Sequence, residues 1–475
     1  MLDPVDWDEF RIEAHHMLDD MIDYVEHIRE RPVWQPIPGE VRDLFREVLP
    51  ARPSALASAH ETFMRAVLPY ATGNVHPGFM GWVHGGGTPV GMLADMLAAG
   101  LNANLGGRDQ MPIEVEKQVL QWVREIFGFP DAASGLFVTG TSMANFIALI
   151  VARTGRLGAG VRKSGMHERR LTAYASSSAH GSIAQALDLS GMGIDALRVV
   201  PVNERFEMDV AALEEAVQKD RQAGHMPFFV AGTAGTVDTG AVDDLDAIAD
   251  FAKREGLWFH VDGAYGALGM LAPDIAPRLS GIGRADSIAF DFHKWGQVPY
   301  DAGFVLVRDG ELHRSAFASD AAYLRRESRA LAAGSPWPCD FGPDLSRSFR
   351  ALKTWFTIKV FGTEMIGQAI SGTCELARHL RKRIEKADRL ELLAPVSLNI
   401  VCFRYKCEEP DRVNAEIVAR LQESGIAAPS TTVLGGRLAI RAAIVNHRSN
   451  RSDIDAFVDA AIDLGNSLTR GEYGD

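Results

Sequence analysis

The sequence predicts an α/β protein, a large and mainly parallel sheet covered by helices on both faces and followed by a smaller α/β domain. Three observations carry that prediction. Between residue 76 and about 310, short β-branched runs alternate with helical stretches, the pattern of parallel strands joined by crossover helices. The chain has 475 residues, 47% of them hydrophobic and 23% charged, which suffices for a sizeable core and is typical of a globular body. After a long helical stretch from Phe349 to Asp388, strands and helices mix again on a smaller scale.

Residues 1–75 read as helices broken by the proline-rich stretch Arg31 to Pro38. Within Phe10 to Ile28, the residues Ile12, Met17, Met21, Ile22 and Val25 recur at helical spacing. This is too little apolar surface for an independent core, so the segment is expected to dock elsewhere, a homodimer partner being one candidate. The large domain is expected over 76–355, with strands at Gly135 to Thr139, Leu171 to Ser176, Leu197 to Val202, Phe228 to Gly232, Leu257 to Val261, Ser287 to Phe290 and Gly303 to Val307. In such a sheet, ligands belong at the carboxyl ends of the strands. The small domain is expected over 356–475, with strands at Ser397 to Arg404 and Arg437 to Val445 and helices at Val413 to Glu423 and Ile454 to Leu464.

The 49 basic and 62 acidic side chains give a formal charge of −13, the wrong sign for a surface that neutralises a polyanion. Neither nucleic acid nor an anionic membrane is an expected partner. No apolar run approaches the roughly 18 residues needed to span a bilayer, and Met1 to Phe10 lacks the basic start of a signal peptide. The four cysteines, Cys339, Cys374, Cys402 and Cys407, form no CxxC pair and read as plain thiols, with no metal site. A cytoplasmic location is expected.

Four motifs carry chemistry. In Leu136 to Asn145 an apolar strand ends at Gly140, Thr141 and Ser142 before a helix, where glycine, two hydroxyls and unpaired N–H groups make an anion cradle or an ordinary capped turn. In Trp258 to Gly266 a strand delivers Asp262 to its carboxyl end, to bind a cation or to cap the next helix. In Ser287 to Trp295 the lysine Lys294 follows an apolar strand beside His293, where desolvation favours a neutral, nucleophilic amine; a lone lysine there would instead be solvated. In Ala175 to Ser182 small residues flank His180, leaving room for a planar group against the imidazole or marking a capping turn. Together a phosphate cradle, a flat basic ring, a carboxylate and a lysine at one sheet edge fit pyridoxal 5'-phosphate. Lys294 would form the Schiff base, Asp262 would hold the pyridinium proton, Gly140 to Ser142 the phosphate, and His180 would stack on the ring.

At these residues the sequence resembles the group II pyridoxal-phosphate amino acid decarboxylases, the family of aromatic amino acid decarboxylase, from roughly His76 to Asn446. The stretches that carry the resemblance include HPGFMGWVHGGGTPVGMLADML (76–97), GTSMAN (140–145), AHGS (179–182), GTAGTVDTGAVDDL (232–245), HVDGAYG (260–266), ADSIAFDFHKW (285–295), LSRSFRALKTWF (345–356) and LAIRAAIVNHR (438–448). The resemblance implies fold type I of the aspartate aminotransferase kind, an obligate homodimer with active sites near the interface, and decarboxylation of an L-amino acid to its amine. By motif position it implies that Lys294, Asp262 and His180 are catalytic, that Thr141 and Ser142 bind the phosphate, and that Ala264, Thr236 and His293 neighbour the cofactor. It implies that Trp82, Val83 and His84 line the substrate pocket and that Asn102 to Leu105 fall near residues reaching the partner's site.

Two departures from the family pattern stand out. Asp291 replaces an asparagine that many members carry near the phosphate, an awkward charge unless it is paired or turned away. The stretch Ala316 to Pro343, which matches the family's mobile loop, lacks the tyrosine expected around Trp337 to Phe341; its one tyrosine, Tyr323, matches an earlier family position. Relatives without that tyrosine let dioxygen intercept the carbanion, so release of an aldehyde is the alternative outcome, ahead of aminotransfer or a non-catalytic role. Asn102, Asn104 and Arg108 would make a polar substrate wall, favouring a polar or acidic side chain, or would be solvated loop residues, the stronger reading, so substrate identity does not follow.

Overall fold

The computed structural model describes residues 2–166, 169–319 and 325–470. Its strands are β1 (Phe79–Met80), β2 (Ser134–Val138), β3 (Leu171–Ser176), β4 (Leu197–Val200), β5 (Met226–Thr233), β6 (Trp258–Asp262), β7 (Ser287–Asp291), β8 (Gly303–Val307), β9 (Leu390–Leu392), β10 (Ile400–Tyr405), β11 (Ala428–Leu434) and β12 (Arg437–Ala443). Seven of them form one sheet in the order β2-β8-β7-β6-β5-β3-β4, and only β8 runs against its neighbours. Every residue of β3, β7 and β8 is buried, as a sheet covered on both faces requires.

The period of two along each strand sorts side chains between the two faces. On β5, Phe229 and Ala231 join Leu149 and Leu187 under the helices Thr141–Leu157 and Ser182–Leu189. Val230 points the other way, into a core with Leu213 and Ile248 of the helices Val210–Gln222 and Leu245–Glu255. On β6, Trp258 packs against the clusters on the Thr141–Leu157 side, so His260 and Asp262, two and four residues on, face that helix too.

A second sheet has the order β1-β11-β12-β10-β9. It packs on the helices Pro410–Glu423 and Arg451–Arg470 and on the end of a long helix, Arg350–Lys386, around a core that includes Leu380, Phe403, Leu421 and Phe457. Strand β1 lies in the chain just before Trp82, and its pairing with β11 fastens that segment to the second sheet. The boundary expected at 355 falls inside the helix Arg350–Lys386, whose dihedral break is at Gly362 (φ 67°, ψ 165°). At the N-terminus, the helix Trp7–Glu26 is capped by Asp6 and has no buried residue. His60 of the helix Leu56–Ala66 ties it down between Glu13 and Asp20, each at 3.2 Å.

Candidate active site

The cradle forms where β2 ends and the helix Thr141–Leu157 begins. The Thr141 N–H donates to Asp291 Oδ1 at 2.8 Å, while the Thr141 hydroxyl is buried with no hydrogen-bond partner among the described residues. A Cβ on Gly303 of β8 would lie 2.4 Å from Gly140 Cα, so only glycine lets the two backbones come this close.

Asp262 ends β6 and is 3% exposed. Its Oδ1 accepts from the Ala264 N–H at 3.1 Å and its Oδ2 from Asn145 Nδ2 at 3.0 Å, and no described cation forms an ion pair with it. Burial raises the Asp262 pKa above the ordinary carboxylate value; the Asn145 donor, the Lys294 charge, the Ala264 N–H and His180 pull it back down. A buried carboxylate without a counter-ion calls for a cationic N–H from a ligand.

Lys294 lies just past β7, and its Nζ is 2.9 Å from Asp291 Oδ2. Asp291 is thus paired: one oxygen takes the ammonium and the other a helix N-terminal N–H. His293 Nδ1 accepts from the Ala302 N–H at 3.0 Å, and its Nε2 is 3.6 Å from Asp291 Oδ2. Burial is the main reason the His293 pKa falls to about 4. His180 Nδ1 accepts from the Ser182 N–H at 3.2 Å and lies 2.9 Å from Ser182 Oγ, while the ring itself is exposed.

Aromatic rings form one wall. Trp82 and His84 stack with centroids 6.0 Å apart, and Phe79 and His84 at 5.7 Å. Trp82 adopts φ 46°, the left-handed region that a bulky residue enters only when its surroundings compel it. Tyr300 closes the stack, 5.8 Å from His84 and 4.2 Å from His293.

Trp82, Val83, His84, Thr141, Ser142, His180, Asp262, Ala264, His293 and Lys294 all line one cavity of about 380 Å³. Thr236 is the predicted site residue that does not. Its hydroxyl instead meets Thr239 Oγ1 at 3.0 Å and accepts from the Ala241 N–H at 3.0 Å, locking a buried turn, while Thr233, Gly235 and Val237 reach the cavity. Tyr300 and Thr233 were not foreseen as lining residues; Tyr300 follows a Val-Pro turn with no periodicity to place it. A larger cavity of about 660 Å³ lies apart, around Leu120, Phe129 and Phe341, and contains none of the predicted site residues.

The stretch expected near a partner's site and the loop expected to carry a tyrosine both make contacts within their own chain. Asn104 Oδ1 accepts from the Gly106 N–H at 2.9 Å and the Arg347 N–H at 3.0 Å. The guanidiniums of Arg108 and Arg326 lie 4.4 and 3.6 Å from the Trp337 ring centre, and Trp337 is buried. Within this chain no described residue of the 325–343 stretch lines the 380 Å³ cavity. Tyr323 lies outside the described residues.

The donor set fits pyridoxal phosphate. An unpartnered buried hydroxyl and a helix N-terminus suit a phosphate, a buried lone carboxylate suits a ring N–H⁺, and an amine and an open imidazole face suit an aldehyde-bearing planar ring. Comparison with known proteins agrees. The family model described as the pyridoxal-dependent decarboxylase conserved domain matches residues 38–406. The chain is 33% identical over 458 residues to an aromatic-L-amino-acid decarboxylase of Bacillus atrophaeus, covering 94% of this chain and 93% of that one. It is 27% identical over 459 residues to a phenylacetaldehyde synthase of Arabidopsis thaliana, covering 94% and 93%. A solved structure of Oryza sativa TDC with PLP and tryptamine superposes with a TM-score of 0.90 at 25% identity, covering 99% of this chain and 100% of that one. The chain therefore belongs to the pyridoxal-dependent decarboxylases, with their fold type I architecture, and is a pyridoxal-phosphate-dependent carboxy-lyase of L-amino acids.

Proposed function

We propose that this chain decarboxylates an aromatic L-amino acid to its amine, with Lys294 as the covalent anchor of the cofactor and Asp262 as the partner of its ring nitrogen. The observation that carries the assignment is the pair itself: one cavity receives both the Lys294 amine and a buried Asp262 carboxylate that forms no ion pair among the described residues. When bound, pyridoxal phosphate supplies an electron-withdrawing ring that takes up the electron pair left at Cα as CO₂ departs.

The protein's part is binding, orientation and proton control. Asp262 retains the ring-nitrogen proton, which keeps the ring electron-poor. Thr141, Ser142 and the helix N-terminus hold the phosphate, and His180 presents its exposed face to the ring. Asp291 keeps Lys294 close as an ammonium whenever its amine is released, so a proton donor stays beside the reacting carbon. The rings of Trp82, His84 and Tyr300 would offer an aromatic side chain a stacking surface, restrict water and orient the substrate for loss of its carboxylate. The relative from Bacillus atrophaeus, named for aromatic substrates, supports the choice of side chain.

Aldehyde formation is the second reading, favoured by the buried Trp337 at the position where a loop tyrosine was expected and by the similarity to a phenylacetaldehyde synthase. Incubating the holoenzyme with tryptophan, tyrosine and phenylalanine under an oxygen electrode decides between them. Amine and CO₂ without oxygen uptake support the first reading; stoichiometric oxygen consumption with ammonia and aldehyde establishes the second.

The working unit is proposed to be a homodimer. Leu93, Met96, Leu97 and Leu101 of the helix Pro89–Leu101 are exposed, as are Trp7, Phe10, Ile12, Met17 and Ile22 of the N-terminal helix, an apolar surface that a second copy would cover. A cytoplasmic location belongs to the same proposal, supported by four free thiols, two of them buried. Among the described residues, no helix is long and apolar enough to cross a membrane.

A further inference from the structure

Beneath Asp262 lies a buried row of polar groups. Trp258, His260 and Asp262 share one face of β6, and His260 is in register with Ser287 of β7. Trp258 Nε1 donates to Ser287 Oγ at 2.8 Å; Ser287 Oγ is 2.8 Å from His260 Nδ1; His260 Nε2 is 2.9 Å from Asn145 Oδ1; Asn145 Nδ2 is 3.0 Å from Asp262 Oδ2. His260, Asn145 and Ser287 are each 0% exposed.

With Asp262 ionised, as a partner for a ring N–H⁺ must be, the two ends of this row fix the direction of every bond in it. An indole N–H can only donate and a carboxylate can only accept. Asn145 must therefore turn its amide NH₂ to Asp262 and its carbonyl oxygen to His260. The His260 proton then sits on Nε2, which leaves Nδ1 to accept from the Ser287 hydroxyl. Burial, which drives the His260 pKa down to about 3, keeps that ring neutral with a single N–H to place. The second amide hydrogen of Asn145 goes to Ser182 Oγ at 2.9 Å, and Ser182 in turn donates to His180 Nδ1, which leaves the His180 proton on Nε2.

We propose that Asn145 is a positioning residue for the decarboxylation, oriented by His260 so that its amide group holds Asp262 as the acceptor for the cofactor's ring N–H⁺ and supports the Ser182 hydroxyl beside His180. The inference rests on the assignment of Asp262 to the ring nitrogen. Aligned donors strengthen one another in a low-dielectric interior, and a reversed Asn145 would point a carbonyl oxygen at the carboxylate.

The test uses holoenzyme loaded with pyridoxal phosphate labelled with ¹⁵N in the ring, whose chemical shift reports protonation of that nitrogen. In the wild type the resonance is expected at the pyridinium position. Asn145→Leu and His260→Asn, which keeps only the Ser287 side of the imidazole, should move it toward free pyridine and lower kcat about 10- to 100-fold with little change in KM. His260→Gln places an amide N–H where Nε2 was and should restore both. A pyridinium shift retained in Asn145→Leu and His260→Asn, or equal losses in His260→Gln and His260→Asn, overturns the proposal. If Asp262→Ala also leaves the resonance at the pyridinium position, the fault lies in the assignment of Asp262 and the proposal falls with it. Thermal melting of each holoenzyme separates these results from simple unfolding.

Discussion

At the scale of single residues, the chemistry depends on which charges are paired before the cofactor arrives. Lys294→Ala is expected to abolish the visible absorbance of the lysine-bound cofactor along with turnover, and a spectrum unchanged by the substitution would place the anchor elsewhere. Asp262→Ala is expected to retain some bound cofactor while kcat collapses, because on the proposed assignment only the ring-nitrogen partner is lost. Asp291 carries a charge beside the phosphate cradle, with one oxygen on the Thr141 N–H and the other on the Lys294 ammonium. Asp291→Asn keeps an acceptor for Thr141 and removes a negative charge facing the phosphate, so cofactor affinity should rise about 3- to 10-fold by fluorescence titration. Weaker binding would mean that the carboxylate serves the cofactor rather than opposes it. Positions 262 and 294 were readable in sequence because the first ends an apolar strand and the second follows one closely. Thr236 was not, since a hydroxyl in a turn gives no sign of whether it faces a ligand or its neighbour Thr239.

At the scale of elements, the site depends on backbones that touch. Strand β8 passes the cradle so closely that Gly303→Ala would drive a Cβ to within 2.4–2.7 Å of the Gly140 backbone, which cannot move aside as a side chain can. A loss of about 1–3 kcal/mol is expected in chemical unfolding, together with weaker cofactor binding. An unchanged affinity would show that the cradle tolerates the shift. All seven strands of the large sheet were readable, because each is a short apolar run set off by helical spacing. Strands β9 and β11 were not. The first has only three residues, and the second begins Ala-Pro-Ser-Thr-Thr, a run too small and polar for the alternation that marks a strand.

For the whole molecule, two expectations concern assembly and acid. The apolar face of the helix Pro89–Leu101 should be covered by a second copy, so sedimentation should give a dimer, and Leu97→Arg combined with Leu101→Arg should shift it toward monomer with loss of activity. Burial lowers His260 to about 3 and His293, His313 and His447 to about 4, from an ordinary 6.5. Because the folded values lie below the unfolded one, this stability is complete above pH 6.5 and is lost as pH falls toward 4. His313, fully buried beside Ser134, contributes on the order of 3 kcal/mol to that loss. The melting temperature should fall across this window, and His313→Asn, which cannot take up a proton there, should flatten the decline; an identical slope would remove His313 from the account.

The sequence by itself determined the sheet and the cofactor, and it named ten residues that line one cavity. Strand ends and small-residue turns are local patterns, and a parallel sheet brings its strand ends to one edge. Tertiary structure decided what distant segments do to one another. It set Asp291 against the Thr141 N–H, buried Trp337 within reach of the Arg108 and Arg326 guanidiniums, and aligned Asn145 between His260 and Asp262. The physical reason is that hydrogen-bond direction and charge pairing depend on partners far apart in the chain, and only packing brings those partners within 3 Å of each other.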